Sequence, residues 1–311
     1  MNLVRELLNQ GASVHALKRK SSDAKRIHDL AGFAQGRGAL TLHDADLGDF
    51  SSVRAAVEAA RPEIVYHLAA RADTSLSMEN ALACIQENVS ATYILLEALK
   101  GMKIRSFVFA SSTEVYGRLP VPFRESQKVQ PPSPYGLSKA AAEEICGYFA
   151  RSGVPVSIAR IAVCYGPYMK GPRFMTHLFK ACAARDSNTA PKLASKGQTR
   201  DFVYVDDIVH GLIAASKRKD AHGEIFNLGL GKSETVQTLV KILGSAAQFN
   251  PKVEWGALPE PHHVNKVWKI DVSKAKKLLK WKPKVGLEEG LKKTLDYFRG
   301  LEGSRENRTQ E

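Results

Sequence analysis

The sequence predicts an α/β protein built on a doubly wound parallel sheet. Short apolar runs alternate with longer runs of helical period through the first half of the chain. Strands separated by helices of this length form βαβ units, whose parallel strands are buried on both faces. Because the crossovers of such units are right-handed, helices cover both sides of the sheet. After Pro167 the elements become shorter and punctuated by Pro and Gly, which indicates a smaller α/β domain.

The predicted elements follow one another in a regular order. The opening MNLVRELLNQG has apolar residues at helical spacing and ends at Gly11, a residue favoured at helix ends. The elements after it alternate between strand and helix: SVHAL, a polar helix over 22–33, ALTLHDADL, SSVRAAVEAA, PEIVYHLAA, ALACIQENVSATYILLEALK, RSFVFASS, PYGLSKAAAEEICGYFARSG and PVSIARIAVCYG. We therefore expect a sheet domain over 1–166, a smaller domain over 167–300 and a frayed polar tail over 301–311.

The composition is that of a soluble globular protein. Of the 311 residues, 44% are hydrophobic and 25% are charged. No apolar run is long enough to span a bilayer, and no secretory signal is evident. The cysteines are widely spaced without a CxxC pair, which argues against a disulfide framework and a zinc site. They are Cys84, Cys146, Cys164 and Cys182. A cytoplasmic location without a membrane partner is expected.

The net charge of +13 is concentrated in the last third of the chain, in KVWKIDVSKAKKLLKWKPK. A solvated helix face accounts for most charge runs of this kind. The alternatives are attraction of a polyanionic ligand, such as a nucleoside diphosphate, and a nucleic-acid surface. No RNA-binding or helix-turn-helix motif accompanies the charge, so a nucleic-acid partner is not expected. His262 and His263 are interpreted as loop residues, and no metal site is predicted.

The segment SPYGLSK carries the strongest chemical signal. Tyr135 and Lys139 are four residues apart, so a helix places both side chains on one face. A neighbouring ammonium favours the phenolate, so Lys139 is expected to lower the pKa of Tyr135. Ser112 ends the strand VFASS, where a parallel sheet presents ligand-binding groups, and it completes a Ser–Tyr–Lys set. The competing interpretation is a packed tyrosine with a surface lysine.

These motifs, in this order and spacing, resemble the extended short-chain dehydrogenase/reductase family, and within it the NAD(P)-dependent nucleotide-sugar epimerase/dehydratase group. The resemblance runs from Leu3 to about Phe298. It rests on DADLGD, HLAARAD, ENVSATYILLEAL, FASSTEVYG, SPYGLSK, RIAVCYGP, RDFVYVDDIV, FNLG and KIDVSKAKKLLKWKP. It implies a Rossmann-like dinucleotide-binding domain over 1–166, a substrate-binding domain over 167–300, and a homodimer formed through helices around 81–100 and 136–151.

The resemblance also implies roles for individual residues. The implied catalytic residues are Ser112, Glu114, Tyr135 and Lys139, and the implied substrate residues are Thr113 and Arg200. The implied cofactor residues are Asp46 and Leu47 at the adenine, Leu68, Ala69 and Ala70 beneath the phosphates and ribose, Asn88 on the cofactor-side helix, and again Tyr135 and Lys139. The substrate implied is a nucleoside-diphosphate sugar, whose diphosphate suits the bidentate guanidinium of Arg200.

The implied reaction passes through a 4-keto sugar. Tyr135 as phenolate removes the proton of the 4-hydroxyl, hydride leaves C4, and Ser112 stabilises the charge that develops on O4. Epimerases return the hydride to the other face of the sugar, whereas dehydratases first eliminate water. Glu114 in SSTEVYG resembles the glutamate that assists as acid/base in the dehydrating and decarboxylating members, although some epimerases carry it too.

Several positions depart from the family pattern. Val163 stands where RxxNVYGP has asparagine, and Glu260 stands where an arginine is common. Lys18 and Arg19 replace the acidic residue that holds the adenosine ribose, which favours NADP over NAD. The strand and glycine-rich loop that precede LVRELLNQG in the family are not part of the sequence, so weaker cofactor binding is expected.

Three hypotheses follow from the sequence. The first is an active epimerase or dehydratase, which the intact Ser112, Tyr135 and Lys139 favour. The second is a catalytically impaired paralogue that serves as a binding or scaffold protein, which Val163 and Glu260 favour. The third is a fragment with a misassigned start.

Overall fold

The computed structural model describes residues 1–22, 38–171, 173–258 and 265–309. The helix predicted over 22–33, apart from its first residue, lies outside the described residues. Glu260, His262 and His263 lie outside them as well.

The strands are short in the second half of the chain. In chain order they are β1 (Ser13–Lys18), β2 (Ala39–Asp44), β3 (Ile64–His67), β4 (Ser106–Ser112), β5 (Val156–Ile161), β6 (Val163–Tyr165), β7 (Lys192–Leu193), β8 (Thr199–Arg200), β9 (Phe202–Tyr204), β10 (Ile225–Leu228), β11 (Glu234–Thr235) and β12 (Glu254–Trp255).

The helices separate these strands. They are α1 (Asn2–Asn9), α2 (Phe50–Ala60), α3 (Met78–Cys84), α4 (Ala91–Ala98), α5 (Pro134–Arg151), α6 (Phe174–Ala184), α7 (Val205–Ser216), α8 (Val236–Ala247) and α9 (Leu287–Thr309). Among the helices of the described ranges, none is both long and apolar enough to cross a bilayer.

The main sheet contains four parallel strands in the order β10, β5, β4, β3. A second parallel pair, β1 and β2, forms a separate sheet within the described residues. Helices cover both faces of the main sheet, as the alternating pattern predicts, so the α/β fold class is confirmed. All parallel strands end at the same edge, and the predicted site residues follow those ends.

Strand β4 lies at the centre of the main sheet and distributes its side chains to both layers. Phe107 and Phe109 pack against α2, α4 and α5, whereas Val108 packs on the opposite face against α7 and β10. Both phenylalanines are almost completely buried. Each contributes about 2 kcal/mol of hydrophobic stabilisation, which anchors the strand that carries Ser112.

One long helix was expected over 81–100, and the structure divides it. A π-helical turn, Ile85–Ser90, lies between α3 and α4. The wider turn shifts the helical phase, so the buried face of α4 is rotated relative to that of α3. Asn88, in this turn, is thereby buried at the end of β3, next to α5.

The run PVSIARIAVCYG was expected to be one strand and instead forms two. The backbone N–H of Ala162 donates to Leu228 in the main sheet at 2.9 Å, but the next N–H, of Val163, donates to Asp201 at 3.0 Å. β6 then pairs with β9 of the second half. The chain therefore leaves the main sheet after Ala162, because the backbone N–H of Val163 pairs with the second half of the chain instead.

The second half of the chain has its own core and also returns to the main sheet. α6, α8 and α9 pack around a cluster that includes Phe179, Leu239 and Leu295. β10, however, lies beside β5 in the main sheet. The domain boundary at residue 166 stays a prediction. The main sheet contains strands from both sides of that boundary.

The end of the chain is more regular than expected. The region 301–311 was predicted to be a frayed tail, but the backbone of α9 is helical to Thr309. The segment contains no proline, and helix formers such as Glu302 and Arg305 extend the helix that Leu287 begins.

Candidate active site

The first turn of α5 places Tyr135 beside Ser112. Ser133 caps this helix, because its hydroxyl accepts the N–H of Gly136 at 3.1 Å, and Pro134 occupies the first helical position. The Ser112 hydroxyl, at the carboxyl end of β4, lies beside the Tyr135 phenol and acts on its pKa. The structure thus brings together the two side chains expected to act on the sugar hydroxyl.

The acidity of Tyr135 differs from the expectation. Burial raises the pKa of Tyr135 above its ordinary value of 10.0. The Ser112 hydrogen bond and the positive charge of Arg173 lower this pKa, whereas the charge of Glu114 raises it. The expectation that Lys139 lowers the pKa of Tyr135 is therefore wrong in this structure. Burial is the dominant effect, and the Lys139 ammonium bonds elsewhere.

Lys139 is turned toward the backbone of β4. Its side chain is in the buried interior, with 2% of its surface exposed, and Nζ donates to the carbonyl of Ala110 at 2.7 Å. The same nitrogen lies 4.6 Å from the centroid of the Phe109 ring. Burial lowers the pKa of Lys139 to about 8, while Cys146 and Glu143 raise it. The pKa of Lys139 therefore lies closer to neutrality than that of an ordinary lysine.

Glu114 lies beside the start of α5. Its backbone N–H donates to Ser112 Oγ at 3.2 Å, and its Oε1 accepts a hydrogen bond from Ser133 Oγ at 3.1 Å. Gly136 leaves room for it, since a Cβ there would lie 3.1 Å from Glu114 Cγ. The neighbouring Thr113 is buried. Glu114 is thus held close to the Tyr135 phenol, in a position to exchange a proton with a sugar carbon or oxygen.

Asn88 joins the loop after β3 to α5. Its Oδ1 accepts the N–H of Arg71 at 2.7 Å, and its Nδ2 donates to the Arg71 carbonyl at 3.0 Å and to Ser138 Oγ at 2.8 Å. Both amide hydrogens are therefore used within the protein. The sequence-based role for Asn88 was a cofactor contact, and the geometry supports a role in holding the cofactor-side loop.

The loop after β3 presents a small apolar surface. Leu68 is 44% exposed, and Ala69 and Ala70 beside it are exposed as well. These residues follow the carboxyl end of β3, adjacent to β4, so the loop lies on the same edge as Ser112. An exposed leucine flanked by alanines is suited to contact a flat, partly apolar ligand such as a nucleotide.

The adenine-side residues lie at the ends of β1 and β2. The Nζ of Lys18 is paired with the carboxylate of Asp44, so the charge of Lys18 is compensated. Arg19 next to it is exposed. Asp46 accepts the N–H of Gly48 at 2.9 Å and shapes the turn in which Leu47 is half-buried. Of the two cations predicted at this end of β1, Lys18 is therefore paired with Asp44, and Arg19 is the exposed one.

Arg200 is held on three sides. Its Nη1 donates to the carbonyl of Thr199 at 2.8 Å, its Nη2 donates to Gln198 Oε1 at 3.2 Å, and its guanidinium lies 5.3 Å from the ring centroid of Trp268. Burial lowers the pKa of Arg200, and the charge of Glu114 opposes that shift. Glu114 and Arg200 thus belong to one charged site, although they are 86 residues apart in sequence (200 minus 114).

The structure adds residues that the sequence reasoning missed. Arg173, which precedes α6, donates to the carbonyl of Ala72 at 3.2 Å and brings positive charge to Tyr135. Asp201 is buried and accepts the backbone N–H groups of Leu230 and Gly231 at 2.7 and 2.8 Å. No local spacing marks either residue, because both reach the site through tertiary contacts.

A dinucleotide fits this edge on its nicotinamide side. Exposed Leu68 and its alanine neighbours border the edge where Ser112, Tyr135 and Lys139 meet, and these residues suit a ribose and a redox ring. In the described part of the chain, no group of three His, Cys, Asp or Glu residues is placed to hold a metal ion.

The comparison with protein-family models decides the family. The model described as GDP-mannose 4,6 dehydratase matches residues 1–294. The chain belongs to this family. Its membership confirms the resemblance to the extended short-chain dehydrogenase/reductases and places the chain among the enzymes of the nucleotide-sugar epimerase/dehydratase group.

Curated relatives of this dehydratase-family chain have both types of activity. A UDP-glucuronate 4-epimerase of Thermodesulfobacterium geofontis is 34% identical over 264 residues, which are 82% of this chain and 78% of the relative. A human dTDP-D-glucose 4,6-dehydratase is 31% identical over 266 residues, which are 82% of this chain and 73% of the relative.

Solved structures of family members superimpose over almost the whole chain. The UDP-glucuronic acid 4-epimerase of Bacillus cereus, in complex with UDP-glucuronic acid and NAD, has a TM-score of 0.84 at 26% identity. The superposition covers 96% of this chain and 95% of the epimerase. The UDP-glucose 4-epimerase of Thermotoga maritima, with UDP-glucose, has a TM-score of 0.84 at 29% identity and covers 96% of this chain and 94% of that structure.

Proposed function

We propose that this enzyme is a UDP-sugar 4-epimerase that oxidises C4 of the sugar and reduces it again on the opposite face. The observation that carries the proposal is the placement of the Tyr135 phenol beside Ser112 at the carboxyl end of β4. This pair is suited to receive one sugar hydroxyl between a base and a hydrogen-bond donor. The UDP-linked sugars named for the Bacillus and Thermotoga structures support the choice of nucleotide.

Each residue of the set has a chemical task. Tyr135 as phenolate takes the proton of the C4 hydroxyl, and Ser112 donates a hydrogen bond to the oxygen that becomes the 4-keto group. Lys139, one helical turn further along α5, is assigned to the ribose of the cofactor. The bound nicotinamide accepts the C4 hydride and gives it back, so the cofactor is regenerated in each turnover.

The charges favour epimerisation over dehydration. Elimination of water from the 4-keto sugar needs one group to remove the C5 proton and another to protonate the leaving oxygen. Among the described residues, Glu114 is the carboxylate whose charge acts on Tyr135. The residue before it, Thr113, is a hydroxyl and a poor proton donor. A 4,6-dehydratase remains the second candidate because Glu114 lies next to the reacting site.

The substrate's diphosphate is assigned to Arg200. Its guanidinium is held by Thr199, Gln198 and Trp268, so little side-chain entropy remains to be lost when an anion binds. Arg19 is the exposed cation at the end of β1 that favours a 2′-phosphate and hence NADP. NAD is the cofactor named for two UDP-glucuronic acid complexes of similar fold.

A homodimer and a cytoplasmic location complete the proposal. Exposed apolar side chains lie along the neighbouring helical segments, and a second copy of the chain covers them. They are Leu82, Ile85, Tyr93, Leu137 and Tyr148. Light scattering tests this burial by comparing the molar mass of the wild-type protein with that of Ile85→Arg. The Ile85→Arg substitution should shift the dimer toward monomer. All four cysteines are free thiols, in keeping with a reducing compartment.

Turnover assays test the proposed reaction. The purified chain is incubated with UDP-glucose or UDP-glucuronic acid and with NAD or NADP, and the products are separated by anion-exchange chromatography and identified by NMR. The expected product is the C4 epimer with the cofactor returned in its oxidised form. A product that has lost one water identifies the dehydratase, and absence of both turnover and cofactor binding at millimolar cofactor overturns the enzyme proposal.

A further inference from the structure

A buried ion pair lies directly behind the Tyr135–Lys139 pair. Glu143 follows Lys139 by four residues and Tyr135 by eight, so all three lie on one face of α5. Its partner is Arg160 of β5. Glu143 is 6% exposed and Arg160 is 3% exposed.

The pair has bidentate geometry. Arg160 Nε lies 3.0 Å from Glu143 Oε1, and Arg160 Nη2 lies 2.6 Å from Oε2. Ser111 Oγ donates a further hydrogen bond to Oε1 at 2.5 Å. Such charge-assisted bonds hold the carboxylate in one orientation.

Three consecutive residues of β4 face the three residues of this helical face. The carbonyl of Ala110 accepts from Lys139, Ser111 donates to Glu143, and Ser112 lies beside Tyr135. A shift of Glu143 therefore moves the strand residue that lies between the two catalytic contacts.

The network continues through Arg160 to β10. The guanidinium of Arg160 lies 4.8 Å from the ring centroid of Tyr116, whose hydroxyl donates to Asn227 Oδ1 at 2.7 Å. Asn227 in turn donates its N–H to Glu125 at 2.8 Å. Nη1 of Arg160 has no hydrogen-bond partner among the described residues. The pair is therefore incompletely satisfied.

Stability alone is a poor reason for such a pair. Desolvation of two buried charges offsets most of their attraction, and well-packed apolar residues often replace a buried ion pair without loss of stability. An unpaired Nη1 increases that cost further. The pair does, however, place a fixed anion next to a lysine that is otherwise surrounded by apolar groups.

The surroundings of Lys139 leave few other charges to hold it. From α5, Glu143 and Cys146 face it, and from β4 it meets the Phe109 ring and the Ala110 carbonyl. His67 of β3 also faces it, but burial lowers the pKa of His67 to about 3, so this imidazole is neutral. Cys146 is a buried thiol whose pKa is raised by burial. Glu143 is thus the carboxylate that acts on Lys139, and Arg160 holds it in place through two hydrogen bonds.

We propose that Glu143 and Arg160 are positioning residues of the epimerase reaction, which keep Lys139 charged and hold β4 in register with α5. This inference rests on the proposed function. The role is one of charge and placement: the carboxylate of Glu143 stabilises the ammonium of Lys139, and through Ser111 it holds β4 beside α5. Arg160 fixes the orientation of that carboxylate.

Glu143→Gln is the central variant, with Glu144→Gln as its control. Both changes remove one negative charge from α5, but Glu144 is exposed and Glu143 is buried. Glu143→Gln should reduce kcat by up to about tenfold at alkaline pH, with a smaller loss near neutrality, and leave KM for the nucleotide sugar within about threefold. The loss of activity at alkaline pH should begin about one pH unit lower. Glu144→Gln should leave kcat and the pH profile unchanged.

An NMR titration tests the same inference without turnover. The lysine Cε resonance of Lys139, assigned by its loss in Lys139→Met, is followed against pH in the wild type, Glu143→Gln and Glu144→Gln. The titration midpoint of Lys139 should fall only in Glu143→Gln. A midpoint equal to that of the wild type in folded Glu143→Gln overturns the inference even if the wild type epimerises UDP-sugars.

Two further variants test the inference if Glu143→Gln does not fold. Glu143→Asp keeps the charge and should retain the wild-type midpoint of Lys139 despite a lower melting temperature. Arg160→Met removes the partner that orients Glu143 and should also change the midpoint, because the carboxylate is then no longer held in one orientation. If all folded variants change only the melting temperature, the pair is structural and the inference is wrong.

Discussion

The side-chain amide of Asn88 donates to the hydroxyl of Ser138 at 2.8 Å and thereby joins the π-helical turn to the helix that carries Tyr135. The same amide also forms two hydrogen bonds with the backbone of Arg71. One buried side chain therefore fixes the distance between the loop after β3 and the catalytic helix.

Asn88→Ala should destabilise the protein by about 3 kcal/mol, because it leaves several buried polar groups without partners. Urea unfolding measures the change. Asn188→Ala is the control, since Asn188 is exposed and its substitution should stay within about 0.5 kcal/mol. Equal effects at the two positions would contradict the proposed role of the Asn88 network.

Tyr135→Phe should lower kcat by about a thousandfold, because the ring is retained while the base is lost. The hydroxyl that remains on Ser112 is too weak a base to replace it. Turnover of the UDP-sugar is the measurement, with binding of the cofactor followed in parallel by fluorescence. Tyr148→Phe on the same helix is the control: Tyr148 is 57% exposed, and its loss should leave kcat unchanged.

Gly117→Ala should be severely destabilising, by about 3 kcal/mol or more. Gly117 has φ 58° and a Cβ there would lie 2.0 Å from the carbonyl oxygen of Gln130. The clash would also displace the turn that holds Glu114. Gly153→Ala separates the cost of backbone strain from the cost of a steric clash. Gly153 also has a positive φ, of 92°, but no atom lies within 4 Å of an added Cβ. Thermal unfolding should show a loss of only about 1 kcal/mol there.

Asp201 should make stability depend on pH. Burial raises its pKa from 3.8 to about 7, so the folded state binds a proton that the unfolded state has already released. Stability contributed by Asp201 is therefore greatest at low pH and is lost as pH rises from about 4 to about 7, by at most about 4 kcal/mol. Urea unfolding of the wild type and of Asp201→Asn across this range measures the difference. Wild-type stability that rises with pH relative to Asp201→Asn would instead show that the backbone bonds to Leu230 and Gly231 outweigh burial.

Arg200→Ala should raise KM for the UDP-sugar about a hundredfold with a smaller effect on kcat, because a diphosphate is bound equally in the ground and transition states. Arg200→Lys tests whether the planar guanidinium or only its positive charge is required. Lysine keeps the charge but lacks the guanidinium that Gln198 and Trp268 hold. Lys266→Ala, a change of one neighbouring cation, is the control. If both arginine variants bind substrate normally, the diphosphate is held elsewhere.

The Ser–Tyr–Lys set was predictable because most of its geometry is local. Residues four apart on a helix share a face whatever the rest of the fold does, so Tyr135 and Lys139 were placed by spacing alone. Glu143 was within reach of the same reasoning, since it continues that spacing by one more turn. The alternation of strands and helices likewise predicted the parallel sheet and its carboxyl edge.

The charge states were not predictable in this way. Lys139 was expected to lower the pKa of Tyr135, but burial raises it, and burial depends on neighbours distant in sequence. Lys18 was expected to be available for a 2′-phosphate, but Asp44 of the neighbouring strand pairs with it. The sequence shows which residues are charged but not which residues they pair with.

The sequence by itself determined the class of fold, the helix that carries Tyr135 and Lys139, and the family, because these follow from periodicity and from short ordered motifs. The tertiary structure alone decided which side chains from distant segments meet: Asn88 with Arg71 and Ser138, Glu143 with Arg160, and Asp201 with the loop after β10. The physical reason is that hydrogen bonding and burial act through space, so their outcome depends on the packing of the whole chain.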